Sequence, residues 1–297
     1  MKKFYLLIVA VAVLLAMAVN ISAQEFVLDY LEGEMEINQD GSWVEAMIGD
    51  TIQGNTQLKV YEETIAEFSN DNTRLTISNP GVYSLKDILG QKKQISSLGF
   101  GTIIQNTYKY VAGKQKSTSS AVMGVRGAKA DDSSDVAWMD EEDEQLSEGK
   151  DLIKARKFKQ AISVLEEGFN NADPDAEQEY LFYLGYAYAM LGENGKALKY
   201  LSGIKTDGSE DYFGDYVLVK GQLLLDSLSY KKALALFNSY TSVYPDGDNA
   251  QVFYFMAGIC LNELGKTKEA RLSFEHARKL NPDSEVGKIA RQVINKL

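Results

Sequence analysis

Four copies of one short pattern constrain the fold of this chain more than any other feature. Each copy has a glycine, an alanine at the twelfth place after it, and a large apolar residue at the sixteenth. The glycines are 36, 36 and 37 residues apart, at Gly149, Gly185, Gly221 and Gly258. The alanines are Ala161, Ala197, Ala233 and Ala270, and the large residues are Leu165, Leu201, Phe237 and Phe274. A fixed period of this length is typical of stacked helical pairs, so the pattern predicts a helical solenoid.

Helix-ending residues divide each copy into two helices. In the second copy the apolar helix that contains Gly185 ends at Leu191-Gly192, where glycine suits a left-handed residue. In the fourth copy, Asn281-Pro282 closes the second helix because proline cannot continue it. The pattern of glycine, alanine, phenylalanine and proline resembles the tetratricopeptide repeat, with about four repeats over 145–282. Residues 283–297 read as an amphipathic helix that caps the stack.

A stack of helical pairs curves, and the first helix of each pair forms most of its concave face. We therefore expect the residues three places before and one place after each repeat glycine to line this face. Its three aromatic rings would form an apolar groove for a peptide or helix of a protein partner, and the alternative for each ring is packing against the neighbouring helix. The candidate binding residues are Leu146, Lys150, Phe182, Tyr186, Leu218, Gln222, Phe255 and Ile259.

Residues 24–130 have a different pattern, in which short apolar segments of period two alternate with turn residues. Such segments predict a small all-β sandwich or roll, and residues 86–94 fit either a short helix or a loop. Trp43, Gly49-Asp50-x-Ile52, Leu75-Thr76-Ile77 and above all Gly124-Val125-Arg126-Gly127 resemble a FecR-like extracytoplasmic domain. The resemblance implies an exported β module used for sensing or contact. The fold class is thus β + α in two domains, with the β domain first.

The two domains are joined by an acidic stretch over 131–144, in which eight of fourteen residues are carboxylates. Like charges at this density repel one another, so the stretch is predicted to be a solvated linker.

The N-terminal residues 1–23 have the pattern of a secretory signal peptide. Lys2 and Lys3 precede an apolar run from Phe4 to Val19, and Ala23 ends a segment that suits signal peptidase. We expect export to a bacterial periplasm or cell envelope, with no stable transmembrane anchor after cleavage. An uncleaved anchor is the alternative.

Charge and residue usage narrow the possible functions. A formal net charge of −11 argues against nucleic-acid binding, which requires Lys and Arg to neutralise phosphates. Cys260 is the only cysteine and His276 the only histidine, too few for a thiolate or imidazole metal site. We expect Cys260 in the core and His276 on the surface. The sequence predicts no catalytic residue, no metal and no cofactor, and hence no enzyme.

The leading hypothesis is an exported, non-enzymatic scaffold or adaptor. Its repeats would bind a protein partner on their concave face, and its β domain would be a second contact module. The alternative is an extracytoplasmic sensor, whose β domain binds a small ligand or envelope glycan and relays this through the repeats. Exposed aromatic residues would then form the ligand site, and the candidates are Trp43, Tyr83, Tyr108 and Tyr110.

Overall fold

The structure is a computed structural model that describes residues 24–97 and 143–297. Within these ranges it contains eight strands followed by ten helices. The prediction of an N-terminal β domain followed by a helical domain is therefore confirmed. The predicted signal segment, Tyr108, Tyr110, the Gly124–Gly127 motif and most of the acidic linker lie outside the described residues.

The strands form two four-stranded antiparallel sheets. The first sheet has the order β4-β1-β6-β7, and the second has the order β3-β2-β5-β8. The strands are β1 (Glu25–Glu32), β2 (Met35–Gln39), β3 (Ser42–Glu45), β4 (Thr51–Gln53), β5 (Gln57–Val60), β6 (Ile65–Ser69), β7 (Arg74–Ile77) and β8 (Gly81–Ser84).

Alternation of side chains explains why these strands pack as two layers. In β1, Phe26 and Leu28 are buried while Val27 between them is exposed, as expected for a strand with one face in a core. The predicted turn after β2 is present, and Gln39 pairs with Ser42 across it. A single core fills the space between the sheets, and it includes Phe26, Leu28, Met35, Ile37, Ile52, Leu58, Val60, Phe68, Leu75 and Ile77.

The segment that the sequence left open as helix or loop is a helix, α1 (Leu85–Ser97). The Ser84 hydroxyl accepts a hydrogen bond from the Asp87 N–H at 3.2 Å, which satisfies one donor of the first turn. Leu85 and Ile88 join the core of the β domain. The helix therefore covers one end of the sandwich.

The helical domain is a run of antiparallel helical pairs followed by one final helix. The helices are α2 (Glu144–Lys154), α3 (Phe158–Phe169), α4 (Pro174–Leu191), α5 (Asn194–Gly203), α6 (Phe213–Asp226), α7 (Tyr230–Val243), α8 (Ala250–Glu263), α9 (Thr267–Leu280) and α10 (Glu285–Ile294). The four pairs are α2/α3, α4/α5, α6/α7 and α8/α9. In the pair α4/α5, Gly192 has the predicted left-handed conformation, with a φ of 75°.

Each repeat glycine lies directly against the large residue sixteen places after it. A Cβ atom added to Gly221 would lie 2.2 Å from the Phe237 side chain, and one added to Gly149 would lie 2.3 Å from the Leu165 side chain. The alanine between them is fully buried in every copy. The repeat pattern thus marks the points where the two helices of each pair approach closely.

The β domain docks on the helical domain through the outer face of its first sheet. This face meets the turns inside the second and third helical pairs. Glu67 on β6 accepts a hydrogen bond from the Gly195 N–H at 2.7 Å, and the Tyr30 ring packs on Gly195. The Ser78 hydroxyl lies 2.6 Å from the Ser227 hydroxyl.

One apolar residue of the helical domain enters the core of the β domain. Leu228, in the turn between α6 and α7, belongs to the β-domain core and is 8% exposed. Its φ of 61° lies in the left-handed region, which costs a residue with a Cβ about 1–2 kcal/mol. Burial of the side chain offsets this cost. The third helical pair therefore completes the β core.

Candidate functional site

The structure buries seven of the eight residues that were predicted to line an open groove. Only Lys150 among them keeps a substantial exposed fraction. The exposed fractions of the others are Leu146 5%, Phe182 4%, Tyr186 3%, Leu218 4%, Gln222 2%, Phe255 0% and Ile259 3%. The expectation of an open apolar groove is therefore corrected, and a role for these residues in binding stays a prediction.

Rings from neighbouring elements explain this burial. Phe182 on α4 stacks against Tyr212, which precedes α6, with the ring centroids 4.8 Å apart. Phe255 on α8 lies edge-on to Phe274 of its own pair at 5.2 Å. The sequence carried a signal for this result, since the segment from Tyr180 to Tyr188 is apolar all round. A helix of that kind is normally buried.

A more polar face lies next to the buried rings, on the first helices of the first three pairs. Lys150 on α2 forms an ion pair with Glu179 on α4, with 2.6 Å between Nζ and Oε1. The same ammonium group lies 5.5 Å from the centroid of the half-buried Tyr183 ring. We call the surface of Lys150, Glu179, Tyr183 and Asp215 the tyrosine face. Sequence reasoning missed Tyr183 because it counted only the residues three places before and one place after each repeat glycine, and Tyr183 lies two places before Gly185.

The electrostatics of the tyrosine face are dominated by burial and by acids. Burial, followed by Glu179 and Asp215, raises the pKa of Tyr183. Burial and Asp215 raise the pKa of Tyr186 to about 12, with Arg156 acting in the opposite direction. Both hydroxyls are therefore neutral donors at physiological pH. The face offers an aromatic ring, one hydroxyl donor and carboxylates, which suits recognition of a polypeptide.

Gln222, another of the predicted groove residues, is buried on α6. Its side-chain nitrogen donates to Asp226 Oδ1 at 3.1 Å, whereas its Oε1 is buried without a hydrogen-bond partner among the described residues. A buried acceptor that makes no hydrogen bond costs about 1–3 kcal/mol. Among the described residues, the Gln222 amide is therefore hydrogen-bonded through its nitrogen but not through its oxygen.

The two residues with reactive side chains lie where the sequence placed them. Cys260 is fully buried in α8, and burial raises the pKa of its thiol. His276 is exposed on α9, with its ring 5.2 Å from the Tyr254 ring. In the described parts of the chain, no three His, Cys, Asp or Glu side chains are placed to hold a metal ion. Nor does any helix of residues 24–97 and 143–297 have the length and hydropathy to cross a membrane.

The paired helices show that this domain belongs to the helical-repeat class of proteins. Comparison with family models identifies the kind of repeat. Residues 146–211 and 253–284 each match a model described as Tetratricopeptide repeat. The first range covers most of the first pair and all of the second, and the second range covers most of the fourth pair and extends just past the end of α9. The helical domain therefore contains tetratricopeptide-type repeats, as the sequence predicted.

The solved structures that match this chain are distant in sequence. A tetratricopeptide repeat protein from Parabacteroides merdae is 17% identical, with a TM-score of 0.45, over 52% of this chain and 58% of that one. This chain thus spans little more than half of that protein. MamA from Desulfovibrio magneticus is 18% identical, with a TM-score of 0.42, over 51% of this chain and 85% of that one. No curated protein matches the sequence.

Proposed function

We propose that this protein is an exported, non-enzymatic adaptor of the bacterial cell envelope, which binds a segment of a protein partner on its tyrosine face. The single observation that carries the proposal is Tyr183, half-buried beside the Lys150–Glu179 ion pair on tetratricopeptide-type helices. Repeats of this type serve protein–protein contacts, and their stacked helices make extended concave binding surfaces.

The charge of the tyrosine face favours a partner segment with basic side chains. Glu179, Asp211 and Asp215 all act on Tyr183 and raise its pKa, while Lys150 is the basic residue that contacts this ring. An arginine or lysine of a partner would gain both the carboxylates and the ring face. Tyrosine is also among the residue types that contribute most to binding energy at interfaces.

Substitution of Tyr183 tests this proposal. Partners captured by cross-linking in envelope extracts are identified, and the affinity of each purified partner is measured for the native chain and for Tyr183→Ala. We expect a loss of at least about tenfold for Tyr183→Ala. Leu272→Ala, at an exposed site on α9, is the matched control and should bind like the native chain. Equal affinities of native and Tyr183→Ala proteins would reject the tyrosine face as the binding site.

Export is the second part of the proposal. It is supported by the basic start, apolar run and small-residue ending of residues 1–23. Cell fractionation and N-terminal sequencing of the mature protein test it, and the first residue found should be Gln24. A mature protein that retains Lys2 and Lys3 would instead support the uncleaved anchor.

The FecR-like identity of the β domain also belongs to this proposal. The order of short strands from β2 to β8 is compatible with it, while Gly124–Gly127 lies outside the described residues. On this interpretation the β domain is a second contact module of the adaptor.

The sensor alternative is favoured by one observation in the β domain. Trp43 on the edge strand β3 is 38% exposed, and Lys59 Nζ lies 5.8 Å from its ring centroid and 4.7 Å from that of Tyr61. Exposed rings of this kind could receive the face of a sugar. By contrast, Tyr83 is half-buried and donates its hydroxyl to the Pro80 carbonyl. Thermal shifts of the full chain and of Trp43→Ala with envelope glycans distinguish the sensor from the adaptor, because an adaptor gives no shift.

A further inference from the structure

A cleft lies at the junction of the two domains, away from the tyrosine face. Its volume is about 600 Å³, within the range of small-molecule sites. The turn between β5 and β6 forms one wall, and helices α5, α6 and α7 form the other. Apolar side chains line part of it, and these are Ile65, Leu198, Leu224, Ala235 and Leu236.

Three lysines from three different helices reach this cleft: Lys199 on α5, Lys220 on α6 and Lys232 on α7. The β domain contributes two carboxylates. Lys199 Nζ lies 3.5 Å from Glu32, and Lys232 Nζ lies 3.7 Å from Glu63. Both separations exceed the roughly 2.7–2.9 Å that is typical of a strong charge-assisted hydrogen bond. The lysines are therefore only loosely neutralised.

Lys220 differs from the other two lysines in its surroundings. Its Nζ donates to the Leu201 carbonyl at 3.2 Å and to the Tyr216 hydroxyl at 3.0 Å, which are both uncharged acceptors. Burial, followed by the neighbouring Lys232, lowers the pKa of Lys220 to about 8, with Glu63 acting in the opposite direction. An ammonium group in such a place is stabilised by any anion that enters the cleft.

We propose that this cleft binds a small organic anion, one carboxylate or phosphate group on an apolar body. Lys220 holds the anionic group, and Lys199 and Lys232 lie at the edge of the cleft. Leu198, Leu224 and Leu236 contact the apolar body. The two domains supply opposite walls, so the site exists only in the docked protein. This proposal goes beyond the adaptor function and does not depend on it.

Calorimetric titration of the full chain tests the proposal. The probes are octanoate, hexyl phosphate and inorganic phosphate. We expect one-to-one binding of at least one of the two organic anions, and weaker binding of inorganic phosphate because it has no apolar body. The carboxylate and phosphate arms show which head group the cleft prefers.

Variants assign the binding to the cleft. Lys220→Met should weaken binding of the preferred organic anion by at least about tenfold, since a charge-assisted hydrogen bond is lost. Lys232→Met should weaken it by about threefold, because Lys232 is exposed to solvent. Lys231→Met, at the exposed neighbouring position on α7, is the matched control and should bind like the native chain.

The affinity should also depend on pH. Because an anion favours the charged form of Lys220, binding should weaken as the pH rises through its pKa of about 8. The ionisable groups that face Lys220 are Tyr216 on its own helix, Lys199 on α5, Lys232 on α7, and Glu32 and Glu63 on the β side. Lys220→Met should remove the weakening between neutral and mildly alkaline pH.

Three results would overturn the proposal. The first is no binding of either organic anion at about 10 mM, a concentration at which even a millimolar site is mostly filled. The second is equal affinity of the native chain and Lys220→Met. The third is inorganic phosphate binding as tightly as the organic anions. If Lys220→Met does not fold, an unchanged affinity of the exposed-site variant Lys232→Met overturns the proposal in its place.

Discussion

The contacts within the helical stack and the contacts between the two domains are built in different ways. Inside each helical pair, a glycine on one helix receives a large apolar side chain from the other, as Gly221 receives Phe237. Between the domains, the contacts are mostly polar and follow no repeated spacing in the sequence. They include the Gly195–Glu67 hydrogen bond, the hydroxyl contacts of Ser78 and the apolar insertion by Leu228, beside the Tyr30 ring on Gly195 and two lysine–glutamate pairs.

This difference indicates which part of the molecule tolerates a substitution or a pH change and which part is sensitive to it. The glycine contact recurs in four pairs along one continuous apolar core, so the stack is stabilised by many similar burials. The domain junction depends on a few individual contacts that include an ionisable group. A substitution or a pH change can therefore act on the junction while the stack stays folded.

The largest effect is expected inside the stack, from Phe237→Ala. Phe237 is fully buried against Gly221, and removal of such a ring costs about 3–5 kcal/mol in free energy of unfolding. Urea unfolding followed by circular dichroism measures the loss. Leu272→Ala, at a side chain 59% exposed, should change the free energy by less than about 0.5 kcal/mol. Similar stabilities of the two variants would contradict the importance of the glycine contact.

At the junction, Leu228→Ala should cost about 2–3 kcal/mol, because it leaves a space in the β core. Hydrogen exchange should show the loss in strands of the β domain as well as in the turn. Leu228→Gly separates the side chain from the backbone. Glycine normally lowers the stability of a folded protein more than alanine does, because it loses more backbone entropy on folding. At a φ of 61°, however, we expect Leu228→Gly to be at least as stable as Leu228→Ala. A less stable glycine variant would show that this left-handed residue is not strained.

The next effect is the pH dependence contributed by Glu67. Burial raises its pKa, while the Gly195 N–H and Arg74 lower it in part. The folded state therefore binds this proton more tightly than the unfolded chain. The contribution of Glu67 to the free energy of unfolding is fully present below its pKa in the unfolded chain. This contribution is lost as the pH rises through its pKa in the folded protein. Glu67→Gln, which keeps an acceptor for Gly195, should not show this loss.

Unfolding of the native protein and of Glu67→Gln at a series of pH values measures this effect. The stability of the native protein relative to the variant should fall as the pH rises from acid to neutral. Glu62→Gln, at an exposed carboxylate of the same domain, should follow the native pH profile. Parallel profiles for the native protein and Glu67→Gln would remove Glu67 as a titrating element of the junction.

The smallest effect is a gain, expected for Thr76→Val. The Thr76 hydroxyl is buried without a hydrogen-bond partner among the described residues. It lies on β7 between Arg74 and Ser78, on the sheet face that docks on the helical turns. Valine keeps the shape and removes the unsatisfied group, so stability should rise by about 0.5–1 kcal/mol. A lower melting temperature for Thr76→Val would show that this hydroxyl has a partner in solution.

Local patterns made most of the fold predictable from the sequence. Gly221 and Phe237 are separated by a constant spacing that recurs in each copy, so their contact could be inferred. Leu75 and Ile77 alternate with polar residues, which identified a strand. Leu228 could not be placed, because nothing in a turn between two helices indicates that its side chain enters the core of another domain.

The candidate site was less predictable, for a related reason. Counting from the repeat glycine identifies which residues of the first helix lie on the side predicted to be concave. It does not show which of their rings are covered by a neighbouring element. Phe182 is covered by Tyr212, whereas the next residue, Tyr183, keeps part of its ring exposed. The cleft around Lys220 involves residues from both domains that are far apart in the sequence. Only the docked structure brings them together.

The insertion of Leu228 also has a consequence for the order in which the protein is completed during synthesis. Domains generally fold from the N-terminus as the chain emerges from the ribosome. The strands of the described residues end at Ser84, so they are made well before Leu228 is. Until the third helical pair is present, the core of the β domain lacks the side chain of Leu228. We therefore expect the β domain of a chain truncated before that pair to be less stable than the same domain in the full chain.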